Sequence, residues 1–182
     1  SGIHHLQING RFQATDTMLE HISGVHHLTL LDFEKKFTFF GFKKLHEGGI
    51  HTLIAPFSFL KDEWVQELHG IHTIDICNSD VTDKGLAALS GVHTINISDC
   101  YRITDKGVIA ISDDVYKIQV EACNITDKSV RSLTNAAEIS FTNCDKITDE
   151  GIKYLLTQNQ TTKKIKKISL DCCTQISNDV LK

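Results

Sequence analysis

The residues in this chain most capable of chemistry are ten histidines and six cysteines. Five histidines recur at one place in a repeating phrase: His4, His26, His51, His72 and His93. Each stands two residues before an apolar residue, and Tyr116 continues the line. Imidazoles gathered by a repeat could form a pH-sensitive ladder or a metal-binding edge. They could equally be a repeated packing residue whose ring bonds a neighbouring backbone group. No carboxylate or cysteine shares their spacing and duplication alone explains the recurrence, so packing is the expected role. The cysteines, Cys77, Cys100, Cys123, Cys144, Cys172 and Cys173, contain no CxxC pair, which argues against a zinc ribbon or a dithiol redox motif. Cys77 is a conceivable nucleophile, but no base is designated for it. The sequence has no glycine-rich phosphate loop, G-x-S-x-G elbow or H-E-x-x-H. No catalytic residue, metal site or cofactor is expected.

The chain that positions these residues repeats itself. Compare GIHTIDICNSDVTDKGLAALS (70–90) with GVHTINISDCYRITDKGVIAIS (91–112). One apolar position anchors each copy: Leu6, Leu28, Leu53, Ile74, Ile95, Ile118, Ile139 and Ile168, at intervals of 21 to 29 residues. A short alternating run surrounds each anchor. In one copy Ile95 and Ile97 face inward while Thr94, Asn96 and Ser98 face outward, as strand side chains do. A turn follows, then Thr-Asp, then apolar residues three apart such as Val108 and Ile111. Thr is a good N-cap, and an acid in the first turn suits the positive end of the helix dipole. Thr82-Asp83, Thr104-Asp105, Thr126-Asp127 and Thr148-Asp149 share this signal, and Ser177-Asn178 is a weaker echo. One strand–turn–helix unit cannot bury its apolar side, but eight stacked units can. The expected fold is an α/β solenoid, an arc with a parallel sheet on its concave face and short helices on its convex face.

The phrases CYRITDKGVIAI, CNITDKSVRSL and CDKITDEGIKYL resemble the cysteine-containing subfamily of leucine-rich repeats. The resemblance is strong over 70–156, fair over 157–182 and confined to the strand part over 1–69. It implies a buried thiol column of Cys100, Cys123, Cys144 and Cys173, each five residues after its anchor. Ser79 takes that place one copy earlier, which puts Cys77 out of register and facing the concave side. Arg11, Phe33 and Ser58 hold the place in earlier copies. Such repeats are best known in F-box proteins, where they select substrates for an SCF-type ubiquitin ligase. No F-box segment is expected here. Similar repeats look like those of large DNA viruses and some bacteria.

The chain of 182 residues reads as a single leucine-rich-repeat domain: divergent repeats over 1–69, regular ones over 70–156, and an insertion with a partial last repeat over 157–182. TQNQTTKK (157–164) reads as a polar loop. Phe33, Phe37, Phe39, Phe40, Phe42, Phe57, Phe59 and Trp64 form an aromatic block where the Thr-Asp signal is missing. It reads as a thickened core or as an exposed patch for a partner. The sole proline, Pro56, adds a local break. The net charge of −4, with Lys163, Lys164, Lys166 and Lys167 as the longest basic cluster, argues against nucleic acid. No apolar run approaches the ~18 residues of a membrane helix. An intracellular location with reduced thiols is expected, so the sequons at Asn96, Asn124 and Asn159 carry little weight.

The expected site is the outward row of the strands: Thr29, Leu31, Thr52, Ile54, Thr73, Asp75, Thr94, Asn96, Lys117, Gln119, Glu121, Glu138 and Ser140, with Lys167 beyond. Solenoids commonly bind on this surface. The expectation is a non-enzymatic module for a protein partner. A structural or oligomerising role is the alternative, with uncapped ends meeting other subunits or the rest of a longer chain; a thiol-dependent enzyme is a more distant one.

Overall fold

The eight apolar anchors become one ladder. In the computed structural model, which describes residues 3–9, 15–22, 24–31, 37–56 and 60–181, eight strands form one all-parallel sheet in sequence order. They are β1 (His5–Asn9), β2 (His27–Leu31), β3 (Thr52–Ile54), β4 (Thr73–Asp75), β5 (Thr94–Asn96), β6 (Lys117–Glu121), β7 (Glu138–Thr142) and β8 (Lys167–Asp171). The register runs Leu6, Leu28, Leu53, Ile74, Ile95, Ile118, Ile139, Ile168 without a slip. The six interior anchors are at most 1% exposed, whereas Leu6 and Ile168 on the outer rungs are half-buried. Leu30, Ile76, Ile97, Val120 and Phe141 make a second buried column two residues on. A one-residue slip would turn both columns to the opposite face, so burial fixes the register.

Helices cover the anchor side: α1 (Asp16–Glu20), α2 (Phe39–Glu47), α3 (Asp62–Val65), α4 (Asp83–Ala88), α5 (Asp105–Ile111), α6 (Asp127–Ser132) and α7 (Asp149–Thr162). A 3-10 turn extends α3 over Gln66–Leu68, and another closes the last rung at Asn178–Leu181. Each helix packs on the next, and one continuous apolar core runs between helices and sheet.

The Thr-Asp signal proves to join neighbouring rungs. Thr104 caps its own helix by accepting from the Lys106 N–H at 3.3 Å. Its hydroxyl and N–H both donate to Asp83 of the preceding rung, at 2.6 and 2.7 Å. The same arrangement links Asp16 to Thr38, Asp62 to Thr82, Asp105 to Thr126, Asp127 to Thr148 and Asp149 to Ser177. Each Asp thus serves two helix N-termini, lying in the first turn of one and accepting from the cap of the next. The glycine two residues after each Thr-Asp has its reason here: a Cβ on Gly107 would lie 2.7 Å from the Asp83 carboxylate, and Gly85 and Gly151 are as crowded by Asp62 and Asp127. In α6 the place is Ser129, whose hydroxyl instead donates to Asp105 at 2.5 Å.

One expectation is extended and one corrected. No Thr-Asp pair stands in the aromatic block, but Thr38 and Asp62 there each supply half of the arrangement, and Thr15-Asp16 precedes the block. The arrangement fails at one step only, where α2 opens on Phe39 in place of Asp and the N-cap of α3 is Lys61, which makes no side-chain cap. The carboxylate acceptor and the hydroxyl donor are lost together, and the remaining Lys61 N–H belongs to an exposed residue. The polar stretch 157–164 is not a loop: α7 continues to Thr162 and ends on Lys163 in the left-handed region, φ 50°. Asn159 holds that end. Its side chain accepts from the Ile165 N–H at 2.9 Å and donates to the Ile165 carbonyl at 3.1 Å.

The turn after each regular strand demands positive φ four residues past the anchor. Asn78, Asp99, Ala122, Asn143 and Cys172 have φ of 49–58° there. Asn and Asp tolerate this region; Ala carries a Cβ clash worth roughly 1–2 kcal/mol. Ala122→Asn should therefore raise stability by about 1 kcal/mol, read as a higher guanidinium midpoint at unchanged slope. A lower midpoint would refute this account of the turn.

Candidate protein-binding face

Opposite the helices the strands present three in-register rows. The first runs His5, His27, Thr52, Thr73, Thr94, Lys117, Glu138, Lys167, and the second Gln7, Thr29, Ile54, Asp75, Asn96, Gln119, Ser140, Ser169. A third, incomplete row pairs Asn9 with Leu31, and Glu121 with Thr142 and Asp171. Every expected row residue lies on this face. The register adds what the sequence reading missed: Thr29 aligns with Ile54, so the neighbour of Thr52 is His27, and His5, Gln7 and Ser169 complete the rows.

The face is not free of structural duty. Asp75 accepts from the Cys77 N–H and Asn96 from the Ser98 N–H, both at 3.0 Å, so these side chains shape the turns that follow them. The Asn96 amide also donates to Asp75 at 3.0 Å. Lys117 and Glu138 pair across β6 and β7 at 3.2 Å. Gln119 and Ser140 make no side-chain hydrogen bond among the described residues. They line a depression of about 100 Å³ with Lys117, Glu138, Lys167 and Ser169. That is well below the roughly 300–1,000 Å³ of small-molecule pockets, so the face is shaped for broad contact.

The four cysteines that the resemblance placed in a buried column differ in burial. Cys100, Cys144 and Cys173 are buried and Cys123 is half-buried. Their thiols donate to carbonyls of the preceding rung: Cys100 to Ile76 at 3.2 Å, Cys123 to Ile97 at 3.0 Å, Cys144 to Val120 at 3.8 Å and Cys173 to Phe141 at 3.7 Å. Ser79 stands 3.4 Å from the Cys100 sulfur. Arg11, Phe33 and Ser58 lie outside the described residues. Burial pushes the Cys123 thiol up to about 12 and Cys144 to about 11. Half-buried Cys77 is pushed up to about 12 by burial and then by the Asp75 charge. It is protonated at neutral pH, the opposite of an activated nucleophile.

The histidine column lies along the N-terminal edge of the strands as a stack. His51–His72 and His72–His93 ring centroids are 4.4 Å apart at 18° and 17°, and His93–Tyr116 follow at 4.7 Å and 10°. The Lys166 ammonium sits over the Tyr116 ring, 5.4 Å from its centroid, and donates to its hydroxyl at 3.1 Å. The expected backbone bond to the ring is replaced by pairing with the next threonine: Nδ1 of His51, His72 and His93 lies 3.2, 3.1 and 3.3 Å from the hydroxyls of Thr52, Thr73 and Thr94. His4 and His26 pair through Nδ1 at 3.2 Å, and His5 stacks on His27 at 4.1 Å. Among the described residues no group of three or more histidines, cysteines or carboxylates is arranged to hold a metal ion.

Burial and then the charges of His5, His51 and His26 hold His27 below the usual imidazole value of 6.5; burial and then His93 do the same to His72. A lowered folded value means the unfolded chain takes up protons first. The stability these rings support is complete above about 6.5 and is lost as pH falls below it. The guanidinium midpoint should be lower at pH 5.5 than at pH 7.5, with a smaller difference in His72→Gln. Equal midpoints would dismiss a pH-responsive stack.

The aromatic block divides. Phe37 and Phe42 are buried, and Phe42 stacks on half-buried Trp64 at 5.4 Å, so these thicken the core. Phe39 and Phe40, at the start of α2, are 36% and 69% exposed. Phe33, Phe57 and Phe59 lie outside the described residues.

An eight-rung sheet with one helix or 3-10 turn per rung, in strict sequence order, is a leucine-rich-repeat solenoid. A family model described as Leucine Rich repeat matches residues 92–112, one complete rung from Val92 to Ser112. One rung thus matches the sequence pattern of this repeat, and the chain as a whole has the leucine-rich-repeat fold. Internalin C2 from Listeria monocytogenes has a similar structure, with a TM-score of 0.62 and 14% identity over 92% of this chain and 80% of that one. A chain of the yeast Rad7–Elc1 complex aligns with a TM-score of 0.55 and 14% identity, covering 94% of this chain and 57% of that one. This chain therefore spans little more than half of that yeast chain, and such identities show the fold alone. No curated protein matches the sequence. No helix among the described residues is long and apolar enough to cross a membrane.

Proposed function

We propose that residues 1–182 form one non-enzymatic domain that binds a protein partner on the helix-free face of its sheet. The observation that supports this is the face itself: two rows of mostly polar, half-buried to exposed side chains run in register across eight strands, a third row is partial, and a shallow depression lies among them. Gln119 and Ser140 at its centre have no internal hydrogen-bond partner among the described residues. Six free cysteines support an intracellular location. The likeness to a chain of a two-protein yeast complex, and the resemblance to repeats of F-box proteins, support substrate recognition for an SCF-type ubiquitin ligase as the finer reading.

Affinity capture from lysate should compare wild type with Gln119→Arg/Ser140→Arg, which leaves the turn-forming Asp75 and Asn96 intact. Lys128→Glu on the exposed side of α6 is the control. A partner bound by wild type and the control, lost from the double variant and then reconstituted pure, is the expected result. Ligase subunits or their substrates among such partners would support the finer reading. Equal capture by all three proteins would move the site elsewhere, and self-association alone would favour the scaffold reading.

A further inference from the structure

The parallel sheet gathers the N-terminal ends of all its strands on one edge, and that edge differs chemically from the opposite one. It carries His26, His51, His72 and His93, then Tyr116 and Lys166. Of the carboxylates in the strands and their following turns, Asp75, Asp99, Glu121 and Asp171 lie toward the C-terminal ends, while Glu138 opens β7 at the histidine edge. We propose that the stacked imidazole column, continued by Tyr116 and Lys166, is a proton-gated docking strip for an acidic segment of a partner protein. This names a partner chemistry for an edge that the open-face reading does not use.

Geometry supports the strip in three ways. The threonine hydroxyls hold Nδ1 of His51, His72 and His93, which fixes the rings, and no other side-chain hydrogen bond engages these rings among the described residues. Each Nε2 is thus without a partner, and His51 and His72 are exposed. The rings stand 4.4 Å apart, so the three span roughly the length of three extended residues at about 3.3–3.6 Å each. A fixed cation, Lys166, ends the row.

The gate follows from the same spacing. Protons on neighbouring rings repel, and an anion laid along the strip offsets that repulsion. By linkage, acidic segment and protons then promote each other's binding. Of the charged and titratable groups around the column, Glu138 is paired with Lys117 at 3.2 Å and Glu47 with Lys44 at 2.7 Å near His46. Asp114 keeps its charge while accepting from the Gly91 N–H at 3.0 Å, and the His27 ring lies 5.7 Å from His51. His46 and His69, with ring centroids 4.1 Å apart and planes tilted by 38°, border a surface pocket with His26 and His51 and add imidazole to the same edge.

The test uses the intact chain and a fluorescent hexa-aspartate peptide, which stays ionised at both pH values, read by anisotropy at low salt and pH 7.5 and 5.5. Binding at least ten-fold tighter at pH 5.5, with net proton uptake by calorimetry in two buffers, is the expected result. The gain should vanish in His51→Gln/His72→Gln/His93→Gln, checked for folding by circular dichroism. If that variant unfolds, His72→Gln alone should shrink the gain at least two-fold. Lys166→Gln should weaken binding by a similar factor at both pH values. Equal affinity at pH 7.5 and 5.5, a gain untouched by His72→Gln, or an oligothymidine bound as tightly as the peptide would each overturn the proposal. None of these would bear on the Gln119→Arg/Ser140→Arg capture, so the two readings fail separately.

Discussion

Asp105→Ala should cost about 3 kcal/mol and lower the melting temperature by roughly 6–12 °C, although the side chain is neither in the apolar core nor in an ion pair. Asp105 opens α5 and accepts four hydrogen bonds from the next rung. Thr126 gives its N–H at 2.8 Å and its hydroxyl at 2.7 Å; Ser129 gives its N–H at 3.2 Å and its hydroxyl at 2.5 Å. Alanine would leave the α6 N-terminus with its cap unanchored and would remove an acid from the first turn of α5. Loss of a cap typically costs about 1 kcal/mol, and hydrogen bonds to a charged acceptor about 1.5–3 kcal/mol, so the combined loss exceeds either alone. Burial pushes the Asp105 carboxyl up, but the Ser129 and Thr126 hydrogen bonds outweigh it and hold the group below the usual 3.8. The stability it confers is therefore complete above that value and is lost only as pH falls beneath it, well apart from the histidine effect. Differential scanning calorimetry at pH 7 checks the magnitude. Exposed Asp113, with no hydrogen bond among the described residues, is the control, and Asp113→Ala should change stability by less than about 0.5 kcal/mol. A loss at Asp105 no larger than that at Asp113 would show the inter-rung caps to be ornamental.

What made the fold legible was the anchor column. A single buried position per rung, flanked by polar neighbours at period two, is visible in each copy alone, and its register held from Leu6 to Ile168. The Thr-Asp signal was legible in the regular copies, where both residues stand side by side, but not at Thr15-Asp16, whose copy matches the others only in its strand. Its bonds run between rungs, so Asp16 can serve Thr38, and Asp62 can serve Thr82, although Thr38 has no acid after it and Asp62 no hydroxyl before it. Reading each copy separately hid that continuity. The stretch after Leu156 carries no apolar period, so nothing in it argues for helix. Its helicity rests on the turns before it and on the Asn159–Ile165 pair, a tertiary arrangement rather than a pattern. On the open face of the sheet the error ran the other way. Asp75 and Asn96 looked like surface residues without duty because their partners are backbone N–H groups two residues on, which any sequence would supply.

Phe141→Ala should cost about 4 kcal/mol, and its damage should stay local. Phe141 is among the largest fully buried side chains and stands in register between Val120 and Leu170. A solenoid rung contacts only its neighbours, so its stability is close to a sum of rung and interface contributions. A cavity here weakens the β6–β7 and β7–β8 interfaces and leaves those of β4 and β5 intact. The thiol column reports this rung by rung. Cys172 is exposed and should react at once with an aromatic disulfide reagent in both proteins. Cys100, Cys144 and Cys173 are buried with thiols pushed above the ordinary value by that burial, so each reacts only when its rung opens. In Phe141→Ala, Cys144 and Cys173 should react at least ten-fold faster while Cys100 keeps its wild-type rate, followed by mass spectrometry of the labelled peptides. Equal acceleration at Cys100 would mean that the eight rungs unfold as one cooperative unit. In that case the nearest-neighbour account fails, and the Asp–Thr caps, which join rung to rung outside the core, become the natural carriers of the long-range coupling.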